Sequence, residues 1–276
     1  MRLARYALAA AFAALPAGCA ISTQQELGLG AQYAAQLDRE LPIVHDPRIQ
    51  ADLDAIAARL TPYSVRPEVR YRFFLVNADL VNAFAVPGGY VYVTRGIVEK
   101  MTSMDQLAGV LGHEMGHVEF RHSARQIGRA QAAEVGVGLT AVLLGQGAAG
   151  EAATQGAGIA AQLALQRYSR DQERESDRFA VDVTTRAGIN PGGIVSFFEV
   201  LRQVEGSRPS ELEYFFSSHP LTDDRIRDVN ALIQSRPAAV AALQTGQHAA
   251  PEFDRLKAAV QLLPPPPDRQ RSGTRK

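Results

Sequence analysis

The amino-acid sequence predicts a mostly helical α+β fold with one small β-sheet beside a functional helix. Three observations predict it. Apolar residues recur at three- and four-residue spacing along most of the chain. Aromatic and branched residues concentrate in three short runs between residues 69 and 94. The 276 residues are 46% hydrophobic and 21% charged, which is ordinary for a globular chain with a sizeable core. Lys+Arg and Asp+Glu number 29 each, so the formal charge is zero. That balance argues against a nucleic-acid partner, which demands a basic face.

Residues 1–19 read as an export signal. Arg2 and Arg5 precede an apolar run from Tyr6 to Leu15, followed by Pro16-Ala17-Gly18-Cys19. The run is too short to span a bilayer comfortably. Leu15-Pro16-Ala17-Gly18-Cys19 resembles a bacterial lipobox, with Pro16 where Leu is usual. It makes Cys19 the expected lipidation site. Simple cleavage nearby, as after Ala20, is the alternative. Cys19 is the chain's one Cys, so the mature protein has none left for a disulfide. The expectation is a periplasmic protein, lipid-anchored to the outer membrane of a Gram-negative bacterium.

Next come two predicted helices, Gln25–Leu41 and Asp46–Leu60, the second with Asp46 as cap and Pro47 in its first turn. Val69–Val76, Asn82–Val86 and Tyr90–Thr94 read as strands, with Pro87-Gly88-Gly89 as a turn and Gly96 ending the sheet. Ser103 or Asp105 can cap a helix through Leu107, Val110, Leu111, Met115 and Val118. Val135 to Leu165 is rich in Gly and Ala. It reads as two pliable helices with a small-residue packing surface, or as a lid or membrane-apposed hairpin. Helices resume over Ser169–Arg186, break at Gly188-Ile189-Asn190-Pro191, and restart to about Val204. Thr222 or Asp223 caps another to about Ile233. The expected main domain covers 20–263, with its motifs inside 25–235. Residues 264–276, a Pro run followed by basic and small polar residues, read as a disordered tail.

His113-Glu114-Met115-Gly116-His117 fits the metallopeptidase pattern HExxH. Residues four apart on a helix face the same way, so both histidines can reach one zinc ion. Glu114 lies at the edge of that face and can reach a water without being a ligand. Five residues alone match by chance often enough that a solvated polar helix competes with this reading. A catalytic zinc needs a third protein ligand and an open position. Glu173 and Asp177 are again four apart on a predicted helix. Glu173 would complete the ligands, and Asp177 could accept the outer N–H of a ligand His. Glu175 is the fallback ligand. Alone, this charged stretch would read as a solvated face.

Together these residues resemble the HtpX-like and prenyl-protein-endopeptidase-like zinc metallopeptidases, peptidase family M-48, within the gluzincins. Their pattern is HExxH followed by ExxxD on a later helix. The resemblance implies a gluzincin-type domain with His113, His117 and Glu173 as zinc ligands, Glu114 as general base and Asp177 in support. It extends to Asn82-Ala83-Phe84-Ala85-Val86-Pro87-Gly88-Gly89-Tyr90, similar to the family's strand and hairpin. It also extends to Ser218-His219-Pro220 with Arg225, similar to its downstream segment. By resemblance, His219 stabilises the oxyanion or binds zinc in a self-inhibited resting form; a turn His is the plainer alternative. Its substitution is expected to cut activity with little loss of zinc. Arg225 orients the acidic residues or sits on a surface. Asn82 and Ala83 contact an extended substrate, or the strand is structural. The chain has no convincing membrane span after its signal, unlike integral-membrane members. Residues 237–263 are too short for the repeat array that some exported members carry.

The implied activity is zinc-dependent hydrolysis of peptide bonds in unfolded or misassembled envelope proteins. A zinc-bearing chaperone or assembly factor with latent proteolysis is the competing reading. His122 lies about 140° from His117 round a continuous helix and reads as structural. His45 and His248 have no local partners and read as exposed. No GxSxG elbow or Walker loop is present, which leaves serine-hydrolase and nucleotide chemistry unsupported.

Overall fold

A computed structural model describes residues 21–129, 167–207, 212–220 and 223–267. The segment read as an export signal with Cys19, the Gly/Ala-rich stretch 135–165, Thr222 and residues 268–276 lie outside the described residues.

The first two helices begin where the sequence supplies caps. α1 (Thr23–Glu40) opens on a capping box, in which Ser22 Oγ accepts from the Gln25 amide and Gln25 accepts from the Ser22 amide. α2 (Pro47–Ala57) has Asp46 as its cap, accepting from the Arg48 amide at 2.8 Å. It ends before the predicted Leu60, and a 3-10 turn over Thr61–Tyr63 follows.

The sheet contains β1 (Arg72–Val76), β2 (Ala83–Val86) and β3 (Tyr90–Thr94), with β3 in the middle. β3 runs parallel to β1 and antiparallel to β2. β1 starts later than its apolar run, because the Val69 amide closes a turn onto Arg66 O at 3.0 Å. Alternation sorts the two faces. Phe73, Leu75, Ala83, Ala85, Val91 and Val93 join the main core. Phe84 and Tyr92 stack on the other face at 5.0 Å between ring centres, beside Leu37 of α1. Thr94 closes β3 and caps α3 (Arg95–Lys100) by accepting from the Ile97 amide. Gly96 therefore stands in a helical first turn, not at a break.

α4 (Met104–Glu119) carries HExxH and is buried along its whole length. A helix so enclosed needs its end groups satisfied from elsewhere in the chain. Ser103 holds the cap position without a side-chain cap bond. The His248 carbonyl instead accepts from the Met104 and Asp105 amides at 3.0 and 3.3 Å. At the other end Arg66 donates to Val118 O at 2.9 Å.

α5 (Arg170–Arg186) starts on a second capping box, Ser169 with Gln172. It packs backbone-close on α4 because Gly116 lacks a side chain; a Cβ there would lie 2.7 Å from Ser176 Cα. α6 (Gly193–Ser207) follows the predicted break and also covers α4. Then come α7 (Glu213–Ser218), α8 (Asp223–Gln234), α9 (Pro237–Thr245) and α10 (Pro251–Gln261). α7, α9 and α10 have no counterpart in the sequence reading. α10 buries Phe253, Leu256 and Val260 in the main core and packs on α2, where Arg255 pairs with Asp52 at 2.5 Å. Among the described residues, no helix is long and apolar enough to cross a membrane.

Candidate metal centre

Helical spacing does the first half of the assembly. One turn apart on α4, His113 and His117 bring their Nε2 atoms to 3.0 Å. α5 adds Glu173, with Oε2 3.5 Å from His113 Nε2 and Oε1 3.4 Å from His117 Nε2. His219, just past α7, sets Nδ1 3.3 Å from His113 Nε2 and 3.2 Å from Glu173 Oε1. One donor atom from each of these four residues lies within 4.8 Å of the others, and all four residues are buried. Three imidazole nitrogens and one carboxylate oxygen converging on one point are a donor set that fits a metal ion. Beside them, Glu114 Oε2 is buried with no hydrogen-bond partner among the described residues. Its other oxygen is 3.5 Å from His219 Nε2. A buried acceptor left open can take a hydrogen bond from a bound molecule.

The surrounding charges hold these groups ready. Asp177 Oδ1 is 2.9 Å from His113 Nδ1. Arg225 forks across both carboxylates, with Nε and Nη2 donating to Asp177 at 2.6 and 2.8 Å and Nη1 2.6 Å from Glu173 Oε2. Its guanidinium lies 4.6 Å over the Phe198 ring. Burial pushes Glu173 up, but Arg225 and the neighbouring imidazoles outweigh it and hold the carboxyl well below the usual range. Burial likewise raises Asp177, and Arg225 again wins and lowers it. Burial lowers His117 far enough to keep it neutral, the form that can bind a metal. Burial also raises the Glu114 carboxyl, which suits a group that must take up a proton.

His113, Glu114, His117, Glu173, Asp177, His219 and Arg225 thus meet in one buried cluster. Asn82 and Ala83 do not join it directly. Both are buried, and the Asn82 carbonyl accepts from the Thr94 amide at 3.1 Å and from its hydroxyl at 2.9 Å. Ala83 opens β2 and Asn82 directly precedes it; β2 is an outer strand of the sheet and packs on α4.

Two of the remaining histidines behave differently from expectation. His122 is a direct neighbour of the site, its Nδ1 2.9 Å from His117 Nδ1. The angular offset holds only on a continuous helix, whereas α4 ends at Glu119 and Arg121 takes a left-handed φ of 55°. That kink swings His122 back. Glu175 is not a metal-facing residue; its Oε2 is 2.9 Å from His122 Nε2. His248 is exposed as expected but has partners, with Nδ1 2.9 Å from Asp105 Oδ2. His45 is exposed.

Tyr168 is a site residue that no motif announces. Its ring stacks on His117 at 3.7 Å between centres. Its hydroxyl meets Ser123 Oγ at 3.0 Å, and its amide donates to Ser218 O beside His219. The one sequence signal was an aromatic residue directly before the Ser169 cap.

Residues 47–233 match the model of peptidase family M48. The chain is similar to the beta-barrel assembly-enhancing protease of Escherichia coli, 33% identical over 233 residues, which is 81% of this chain and 47% of that protein. It is similar to the metalloprotease YcaL of Escherichia coli, 32% identical over 168 residues, 60% of this chain and 63% of that protein. It is also similar to the mitochondrial metalloendopeptidase OMA1 of Schizosaccharomyces pombe, 29% identical over 192 residues, 70% of this chain and 55% of that protein. The chain spans about half the length of the curated relatives it matches. The family match encloses every residue of the buried cluster, and the chain belongs to peptidase family M48.

Proposed function

We propose that the chain is a zinc-dependent endopeptidase that cleaves misfolded or misassembled envelope proteins. The observation that carries this reading is the convergence of His113, His117 and Glu173 beside the unpartnered carboxylate oxygen of Glu114. These three residues would hold zinc. Bound there, zinc would acidify a water and polarise the scissile carbonyl.

Glu114 takes the proton of the attacking water and passes it to the leaving amine as the C–N bond breaks. Its raised pKa suits both the uptake and the later release. Asp177, locked by Arg225, accepts from His113 Nδ1 and fixes which nitrogen faces the metal. His219 fills the fourth position of the donor set, and that geometry favours a closed resting state over an open one. The alternative role, donation to a developing oxyanion, would instead need the imidazole to stand off the donor set. β2 would pair its outer edge with an extended substrate, with Asn82 and Ala83 nearest the cut. Both are buried now, so opening must uncover them.

The beta-barrel assembly-enhancing name of the relative supports envelope quality control as the setting. A lipid anchor at Cys19 would hold the enzyme at the periplasmic face of the outer membrane. The closed arrangement around His219 also favours a second reading, a zinc-bearing assembly factor whose proteolysis stays latent.

The test is cleavage of casein by the purified, zinc-loaded chain and by its Glu114→Gln variant. The variant is expected to keep zinc and lose roughly 10²–10⁴-fold in rate. Undiminished cleavage would remove Glu114 from the mechanism. Rescue of envelope proteins that survives in Glu114→Gln would favour the assembly factor.

A further inference from the structure

We propose that His122 and Glu175 form a hydrogen-bond relay that sets the tautomer and orientation of His117. The inference rests on the reading of His117 as a metal ligand.

The geometry gives the relay one direction. His117 Nε2 faces the donor cluster, 3.0 Å from His113 Nε2 and 3.4 Å from Glu173 Oε1. A nitrogen that binds metal carries no hydrogen, so His117 must carry its hydrogen on Nδ1. That atom is 2.9 Å from His122 Nδ1. Two neutral imidazoles share one hydrogen per contact, so His122 Nδ1 accepts. The hydrogen of His122 therefore sits on Nε2, 2.9 Å from Glu175 Oε2. A carboxylate only accepts, and the chain ends there. Each link requires the tautomer that the previous link leaves.

The surroundings fix the rings in place. The His122 side chain is wholly buried, while that of Glu175 is 40% exposed, so the relay runs from the buried centre to the surface. Phe120 stacks on His122 and Tyr168 on His117. α5 thereby serves three separate tasks from alternate positions. Glu173 faces the donor cluster, Asp177 backs His113 directly, and Glu175 backs His117 through His122. The two α4 ligands thus differ in kind. His113 leans on a buried carboxylate locked by Arg225, and His117 on an imidazole tied to a surface carboxylate. Outer partners of ligand histidines commonly govern metal affinity.

The experiment uses the full chain and three variants, His122→Phe, His122→Asn and Glu175→Ala. Zinc dissociation constants come from chelator competition. The His117 tautomer comes from long-range 1H–15N spectra of the zinc-loaded protein. His122→Phe, which removes the acceptor, should weaken zinc roughly 10–100-fold and shift the His117 Nδ1 signal. His122→Asn offers an oxygen where Nδ1 stood, so it should recover most of the affinity and keep the signal. Glu175→Ala should fall between wild type and His122→Phe. Because Glu175 is at the surface, that variant carries the test if His122→Phe does not fold. Zinc affinity and spectra unchanged in His122→Phe and Glu175→Ala would overturn the relay. Equal loss in His122→Phe and His122→Asn with an unmoved His117 signal would reduce it to packing and overturn it too. A wild-type chain that binds no zinc would instead overturn the zinc reading, and the relay with it.

Discussion

His113 holds a proton that any metal must displace. Burial and the Arg225 guanidinium push its pKa down, but Glu173 and Asp177 outweigh them and hold it up at about 9. Below that value the metal-free imidazole is charged, and a charged imidazole cannot ligate. Zinc affinity should therefore weaken as pH falls below about 9, by up to about tenfold per unit. At neutral pH, loading should release roughly one proton. Calorimetry in buffers of different ionisation enthalpy reads that number directly; zero protons released would contradict a charged His113. His219 makes the second prediction at this scale. Because it completes the donor set instead of standing off it, His219→Ala should open the site and raise casein cleavage. The sequence alone favours the opposite sign. A gain of roughly tenfold corresponds to a closed state favoured by about 1.4 kcal/mol. A fall in rate with zinc retained would return His219 to the oxyanion role. These residues were unequally legible. His113 with His117 and Glu173 with Asp177 are readable because a four-residue spacing survives in any helix. Nothing local ties His219 or Arg225 to them, and only family resemblance reached those two. His122 is not legible from spacing because the left-handed turn at Arg121 breaks the helical continuity that spacing implies.

Elements were legible where a cap or a period-two pattern marks them. Asp46, Ser169 and the Pro87-Gly88-Gly89 turn all stand at real boundaries. α9 is Ala-rich and offers little polar contrast, so periodicity is silent there. α10 carries a stripe in Phe253, Leu256 and Val260, yet no local feature says that it packs on α2. What the pattern also hides is the distance between elements, and here Gly116 decides it. Replacing a helical Gly by Ala gains about 1 kcal/mol of propensity. A Cβ at Gly116 meets Ser176 Cα at 2.7 Å, a backbone atom that cannot swing away. Overpacking of that kind costs about 1–3 kcal/mol, so the clash outweighs the propensity. Gly116→Ala should lower Tm and, by moving Glu173 off the α4 histidines, weaken zinc. Gly28→Ala in α1, where nothing lies within 4 Å, should raise Tm by the propensity alone. Thermal melts of the two variants check the opposite signs. A rise in both would mean that α4 and α5 are not held as close as Gly116 allows.

The whole molecule is arranged to clamp one buried helix. α5 and α6 flank α4, the sheet and α2 pack on it, and segments distant in sequence fasten its two ends. The His248 carbonyl serves the N-terminal amides, and Arg66 serves the Val118 carbonyl near the C-terminus. Arg66 is itself held by Glu26 of α1, through two bonds of 2.9 Å. Glu26 also takes Arg121 Nε at 2.7 Å, at the turn that redirects the chain toward His122. Glu26 is completely buried, so its charge is justified only by these partners. Removing one member of such a cluster leaves uncompensated buried charge, which typically costs about 3–5 kcal/mol. Glu68 also pairs with Arg66 at 2.9 Å, but its side chain is 39% exposed and solvent screens it. Such a pair contributes about 0–1 kcal/mol. Glu26→Ala should therefore destabilise the chain several-fold more than Glu68→Ala in denaturant unfolding. It should also disturb the centre from a distance, since Val118 and Arg121 bracket the end of the helix that carries His117. Equal and small effects from the two variants would show that α1 lies on the molecule without fastening it. A large loss of stability with zinc affinity intact would separate the clamp from the site it encloses.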